Sequence, residues 1–155
     1  MTKPVPGAKR GRPPGKTRAK FVDDIKKLKI DYRLIDDLIP HAMNARTHSE
    51  VQVAQIAASV QKFGWTNPIL IDEKGAIIAG HGRVVAARLL DMTLVPCIVL
   101  AGLSETQKRS YVLADNQLAL NAGWDDELLR LELTDLRGLG VDLSMIGFGS
   151  DELAE

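Results

Sequence analysis

The spacing of hydrophobic residues changes several times along this chain, and each change marks an element. From Ser49 to Phe63, Val53, Ile56, Ala57, Val60 and Phe63 recur at helical intervals. This predicts an amphipathic helix over 49–63, opened by Ser49 and Gln52 as a capping box and stopped by Gly64. The short apolar runs Ile69-Leu70-Ile71 and Ala76-Ile77-Ile78-Ala79 flank the turn residues Glu73-Lys74-Gly75 and predict buried strands over 68–72 and 76–79. Helical spacing returns over 83–92, and the apolar run Val95-Pro96-Cys97-Ile98-Val99-Leu100 predicts a strand over 94–100. A second capping box, Ser104 with Gln107, opens a helix over 105–121 that Gly123 ends. Weaker patterns suggest a short amphipathic helix from Phe21 to Leu28 and a strand at Tyr32-Arg33-Leu34-Ile35, with Ile39-Pro40 after it. Together these predict an α+β domain with a small mixed sheet and packed helices.

A further helix is predicted over 126–137, with Asp125 as its N-cap. Leu128, Leu129, Leu131, Leu133 and Leu136 spread over much of its circumference, which implies burial against the core or a protein partner. Ser150-Asp151-Glu152-Leu153 then begins another helix that the sequence continues for only two residues. Residues 124–155 are therefore expected to be a truncated helical extension, cut from or descended from a longer protein.

Charge changes the picture at the other end. The 155 residues have zero net charge, yet the first twenty carry seven bases and no acid, leaving 13 bases against 20 acids in the remainder. Four prolines and three glycines also fall in residues 1–20, so this segment cannot build a core and is expected to be a disordered basic tail. Within it, Lys9-Arg10-Gly11-Arg12-Pro13-Pro14 resembles an AT-hook. In such a motif glycine lets the backbone press into the narrow minor groove of A·T-rich DNA, arginines meet the enhanced negative potential there, and proline keeps the chain extended. DNA is the expected partner of Lys9, Arg10, Gly11, Arg12 and Pro13; the alternative is a tail that only solubilises. The 45% hydrophobic residues suffice for one core. The single cysteine gives no disulfide framework, and neither a membrane-length apolar run nor a signal peptide is present, so a cytoplasmic protein with no membrane partner is expected.

The candidate chemistry lies where the strand over 76–79 turns into the next helix, through Gly80-His81-Gly82-Arg83. A helix N-terminus offers unpaired N–H groups, glycine permits close approach, and Arg83 adds a planar donor fork suited to phosphate. The alternative is a tight connection with no ligand. The lone Cys97 sits in an apolar strand, where burial would make it inert. His41, His48 and His81 have no carboxylate or cysteine at metal-ligand spacing; His48, beside the cap Ser49, is expected to be exposed. His81 is expected to donate to a phosphate or to act as a proton carrier, because histidine as a residue type titrates near neutrality.

The order Asn44 and Arg46, a helix ending in Gly64, Asn67-Pro68-Ile69, and Gly80 to Arg83 resembles the N-terminal domain of ParB-type proteins, in the ParB/sulfiredoxin superfamily. The resemblance covers residues 30 to 123. ParB proteins usually carry Gly-Glu-Arg-Arg at the turn, so one acidic and one basic group are missing here. Sulfiredoxin-like members need a cysteine in that turn, where this chain has His81, and their reaction is effectively excluded. Ala114-Asp115-Asn116-Gln117-Leu118 loosely matches a second ParB segment that helps hold nucleotide phosphate and metal, although Ala119 replaces the family's following arginine. The resemblance implies phosphate binding by Asn44, Arg46, Gly80, His81, Gly82, Arg83 and Asn116. It implies Mg²⁺ with a nucleoside triphosphate near Asp115 and Asn116, with His81 and Asp115 as candidate catalytic groups; a solvated polar patch is the other reading of that segment. Related domains look most like those of phage and prophage proteins, often before a DNA methyltransferase.

Two functions follow as expectations. One is a DNA-associated module binding nucleotide or DNA phosphate, with slow, metal-dependent hydrolysis of CTP or ATP, or nuclease activity. The other is a non-catalytic adaptor of a DNA-modification system, with the 126–137 helix docking a partner. No helix-turn-helix domain is expected after the core, nor room for a methyltransferase.

Overall fold

The computed structural model describes residues 24–42, 44, 47–149 and 152. The tail, Arg46 and most of the 150–153 segment lie outside the described residues, as do the first residues of the helix expected over 21–28, of which 24–27 form one helical turn. The remaining elements follow the expected order. Strand β1 is Asp31–Leu34 and leads into a 3-10 turn, Ile35–Asp37. Helix α1 is Glu50–Phe63, followed by strands β2 (Ile69–Ile71) and β3 (Ile77–Ala79). Helix α2 is His81–Leu89, strand β4 is Leu94–Val99, helix α3 is Glu105–Leu120 and helix α4 is Asp126–Gly138, with a closing 3-10 turn at Leu143–Ile146.

The four strands form one mixed sheet in the order β1-β4-β2-β3. Strand β4 runs antiparallel to β1 and parallel to β2, so Cys97 stands opposite Asp31 on one side and Ile69 on the other. Strands β2 and β3 pair as an antiparallel hairpin with a register irregularity between Leu70 and Ile71. Pro96 has no N–H for a ladder, yet β4 is an interior strand because its apolar alternates Val95 and Cys97 are fully buried.

Helix α2 packs Val84 and Ala87 onto Ile69, Ile71, Ile77, Val95 and Cys97 of the sheet. Ala86 meets Val53 and Ala57 of α1, so the alanine pair lets one helix touch two layers at close range. This sandwich fixes the start of α2 against both the sheet and α1. Helix α3 joins through a buried ion pair: Lys108 donates to Asp72 Oδ2 at 2.9 Å and to Glu105 at 2.9 Å. Asp72 Oδ1 also accepts the N–H groups of Lys74 and Ala76 and so shapes the β2–β3 turn.

Some boundaries differ from the sequence expectation. Helix α2 begins at His81 rather than 83 and ends at Leu89, because Gly80 takes the left-handed conformation, φ 106°, and Gly82 is already inside the first turn. Helix α3 ends at Leu120 with Asn121 as its C-cap, before Gly123 is reached. Ser104 and Gln107 do form a reciprocal capping box. At Ser49 only half of the box exists: Ser49 Oγ accepts from Gln52 N–H, while the Gln52 side chain turns to His48. On α4 only Leu133 is buried, on the side where the helix packs with the closing 3-10 turn; Leu128 and Leu131 stay exposed.

Candidate functional site

The turn from β3 into α2 opens onto a cavity of about 300 Å³. It brings together every described residue that the sequence nominated: Asn44, the whole run Gly80 to Arg83, Asp115 and Asn116. The sheet and α2 supply the turn, α3 supplies Asp115 and Asn116 beside Val112, and the loop ahead of α1 supplies Asn44. The nominated residues outside the described ones are Arg46 and the tail residues Lys9, Arg10, Gly11, Arg12 and Pro13.

The start of α2 has no side-chain cap. Its first intrahelical bond of this turn runs from Val84 N–H to Gly80 carbonyl, 3.0 Å, so the N–H groups of residues 81 to 83 lie ahead of the helical ladder. The glycines have packing roles here. A Cβ on Gly82 would lie 2.9 Å from His48 Cε1 and 3.1 Å from Ile56 Cδ1, and one on Gly80 would lie 3.1 Å from Arg83 Nη2. Gly82 thus makes room for α1 and the loop before it, while Gly80 makes room for the arginine folded back above it.

Arg83 is the unusual group. Its Nη2 donates to the Pro68 carbonyl at 3.2 Å, while its Nε is buried without a hydrogen-bond partner among the described residues. Burial pushes the guanidinium pKa down, and the nearby Asp115 carboxylate opposes that shift. Arginine nevertheless keeps its proton. A half-buried cation thus sits at the cavity with one neutral carbonyl as hydrogen-bond partner and one exposed carboxylate nearby. Such an arrangement favours an incoming anion.

His81 is held by its ring. The His41 N–H donates to His81 Nε2 at 3.2 Å, so that nitrogen is an acceptor and the neutral ring carries its proton on Nδ1. Burial lowers the His81 pKa, and the neighbouring His41 and His48 rings lower it further. His48 is half-buried rather than exposed: its Nδ1 is 2.9 Å from Gln52 Oε1, and its ring fills the space above Gly82. His48, Gln52 and Ile56 also line the cavity and escaped the sequence reading. The four-residue spacing of His48 and Gln52 was the available signal.

Among the described residues no group of three or more His, Cys, Asp or Glu side chains could hold a metal ion. Among the described residues the cavity offers one carboxylate, Asp115, and the Asn116 amide, whose Nδ2 donates to the Val112 carbonyl at 2.8 Å. That set fits a magnesium ion brought by phosphates, since this ion is commonly bound through one or two carboxylates together with phosphate oxygens and water. Cys97 is fully buried and burial pushes its thiol pKa up, in keeping with an inert core residue. No helix among the described residues is long and apolar enough to cross a membrane.

Residues 21–117 match the ParB N-terminal domain, and residues 127–155 match the ParB-methyltransferase HTH domain. The second match corrects the expectation that no helix-turn-helix segment follows the core; α4 and the turn at Leu143–Ile146 lie within it. ParB-like nuclease domain-containing protein YnaK of Escherichia coli (strain K12) is 64% identical over 83 residues, which span 54% of this chain and 95% of that protein. The C-terminally truncated chromosome-partitioning protein ParB from Caulobacter crescentus, complexed with CTP-gamma-S, superposes with a TM-score of 0.64 at 20% identity, over 81% of this chain and 75% of that one. A Pnob8-like ParB-N domain gives a TM-score of 0.50 at 13% identity, covering 67% of this chain and 42% of that chain.

Proposed function

Because the chain belongs to the ParB N-terminal domain family, we propose that the cavity at the Gly80–Arg83 turn binds the phosphates of a nucleoside triphosphate. The observation that carries this reading is the half-buried Arg83 guanidinium with its unpartnered Nε beside the uncapped start of α2. Phosphate oxygens would take the N–H groups of residues 81 to 83 and the Arg83 fork, each a charge-assisted contact in a partly desolvated site. Asn44 and Arg46 would close the cavity from the loop before α1. Cytidine triphosphate is the first nucleotide to test, because the Caulobacter crescentus relative is complexed with CTP-gamma-S.

Magnesium, carried in on the phosphates, would supply charge neutralisation there, with Asp115 and Asn116 as the residues that hold it. Hydrolysis is slow in this reading. Asp115 is the one carboxylate that lines the cavity among the described residues, and His81 keeps Nε2 engaged with the backbone. His81 then acts mainly by tying residue 41 to the turn. The basic tail, through Lys9, Arg10, Gly11, Arg12 and Pro13, would hold A·T-rich DNA, so nucleotide and DNA meet on one cytoplasmic protein. A nuclease reading draws on the name of the Escherichia coli relative, a ParB-like nuclease domain-containing protein. It requires DNA phosphate, rather than nucleotide, in the same cavity.

Calorimetric titration of the four common triphosphates with Mg²⁺ tests the proposal. Arg83→Ala removes a charge-assisted contact worth roughly 1.5–3 kcal/mol, so affinity should fall about tenfold or more. Asp115→Asn should weaken the magnesium dependence. Equal heats for wild type and Arg83→Ala, with every nucleotide and with folding of the variant verified by its melting transition, would remove the site. Loss of duplex cleavage instead of nucleotide binding in Arg83→Ala would move the conclusion to the nuclease reading.

A further inference from the structure

An apolar groove of about 570 Å³ runs along the outer side of α4, lined by Trp124, Leu128 and Leu131 and rimmed by Asp125, Glu132 and Asp135. Trp124 is 70% exposed, Leu128 64% and Leu131 53%, although leucine and tryptophan are the residues that burial rewards most. The Trp124 ring is tilted against Phe148, 6.0 Å between centroids, and most of its surface faces solvent. This face lacks a partner among the described residues.

Charge identifies the occupant. Residues 124–155 hold nine acids and two bases, a net of −7, and residues 21–123 hold eleven of each. The first twenty residues hold seven bases, no acid and four prolines. The two ends of the chain are therefore equal and opposite, with a neutral domain between them. A groove with an exposed indole and a carboxylate rim has the chemistry that recognises a proline-rich basic segment. Prolyl rings, already extended, stack on the aromatic face with little entropy to lose, and flanking lysines or arginines pair with the rim. A duplex suits this surface poorly, because its phosphates would meet a net charge of the same sign.

We infer that the α4 groove docks the proline-rich basic segment at residues 1–20 of this same chain, with prolines against Trp124 and Leu128 and bases against Asp125, Glu132 and Asp135. The inference is independent of what the Gly80–Arg83 cavity binds; the groove and an A·T-rich duplex compete for the same basic segment.

Zero-length carbodiimide cross-linking of the full chain, mapped by mass spectrometry, tests it. Lys3, Lys9, Lys16 and Lys20 should join to Asp125, Glu132 and Asp135 in preference to Glu50, Asp91 and the Arg33-paired Asp31, which are also exposed carboxylates of the neutral domain. Replacing the apolar floor without touching charge, by Trp124→Ala with Leu128→Ser, should cut those yields roughly three- to tenfold, the loss expected for one aromatic contact. Both positions are exposed, and an unchanged melting transition would verify that the variant is folded. Trp124→Phe should retain most of the yield. Linked products in the monomer support docking within the chain; products confined to a covalent dimer would overturn it. Cross-links spread evenly over Asp31, Glu50, Asp91 and the α4 acids, or yields that the double variant leaves unchanged, would overturn it.

Discussion

Gly82 shows how little freedom a single residue has at the candidate site. It reads in the sequence as a place where an anion comes close to bare backbone, yet the absent side chain is filled by His48 and Ile56. The two roles are compatible, because the N–H of residue 82 still lies ahead of the helical ladder. Gly82→Ala brings a methyl group to 2.9 Å of the His48 ring, and that ring is tied to Gln52. Overpacking of this kind costs about 1–3 kcal/mol, more than the roughly 1 kcal/mol that alanine gains over glycine in a helix. The midpoint of urea unfolding should therefore fall, and a midpoint that rises would show that His48 gives way freely. His81 is a different case. Its chemistry looked like that of a proton carrier, but its Nε2 holds the backbone of residue 41. A histidine with one nitrogen already committed is a strut first.

The elements owe their positions to groups that sequence periodicity does not display. Lys108 and Asp72 are the clearest example: a lysine on a helix reads as a solvated residue, and an aspartate at a strand end reads as a turn former. In the fold both are buried, and they bolt the second turn of α3 to the β2–β3 hairpin. Burial by itself would raise the Asp72 pKa; the Lys108 ammonium and the N–H groups of Ala76 and Lys74 bring it below the ordinary carboxylate value. A carboxyl with a depressed folded pKa adds stability above its unfolded pKa and loses it as pH falls through the folded value. Asp72→Asn should therefore lower the melting temperature at neutral pH and flatten the acid limb of the stability curve below about pH 4. Chemical denaturation measured from pH 7 down to pH 2 reads both effects, and an acid limb as steep in the variant as in wild type would show that other carboxylates carry it. The strands and helices of the sheet domain were legible because Ile69-Leu70-Ile71, Ile77-Ile78 and the Val53–Phe63 stripe follow simple periods. The cavity was legible in part. Local residues such as Gly80 to Arg83 announce themselves, whereas His48 and Gln52 reach it only through the α1–α2 crossing. That crossing depends on contacts between residues far apart in the chain. The outward leucines of α4 were legible as apolar and not as exposed, because periodicity cannot say whether a face finds a neighbour.

Taken whole, the molecule is electrically divided, with its bases concentrated at one end of the sequence and its acids at the other. If the seven bases of the tail make the contacts with a duplex, the logarithm of the association constant should fall with the logarithm of salt concentration at a slope no steeper than about −6, and Arg12→Ala should reduce that slope by about one. Anisotropy titrations of an A·T-rich duplex across a salt series read this directly. A much steeper slope would bring in the bases of the folded domain, Arg83 among them. The sheet order also sets a schedule for synthesis. Of its two interior strands, β2 is made early, whereas β4 is the last of the four to be made, and β4 is the one neighbour that β1 and β2 share. A growing chain that has reached Thr93 holds the β2–β3 hairpin and an unpaired β1 that waits across more than half of the finished sheet domain for its partner. Folding on the ribosome is then a single late closure rather than a progressive build-up, with apolar strand edges exposed until Val99 appears. A chain ended at residue 93 should be degraded by protease as fast as an unfolded one. A chain ended at residue 123 should resist, and protection already present at 93 would mean that the hairpin and its helices close without their central strand.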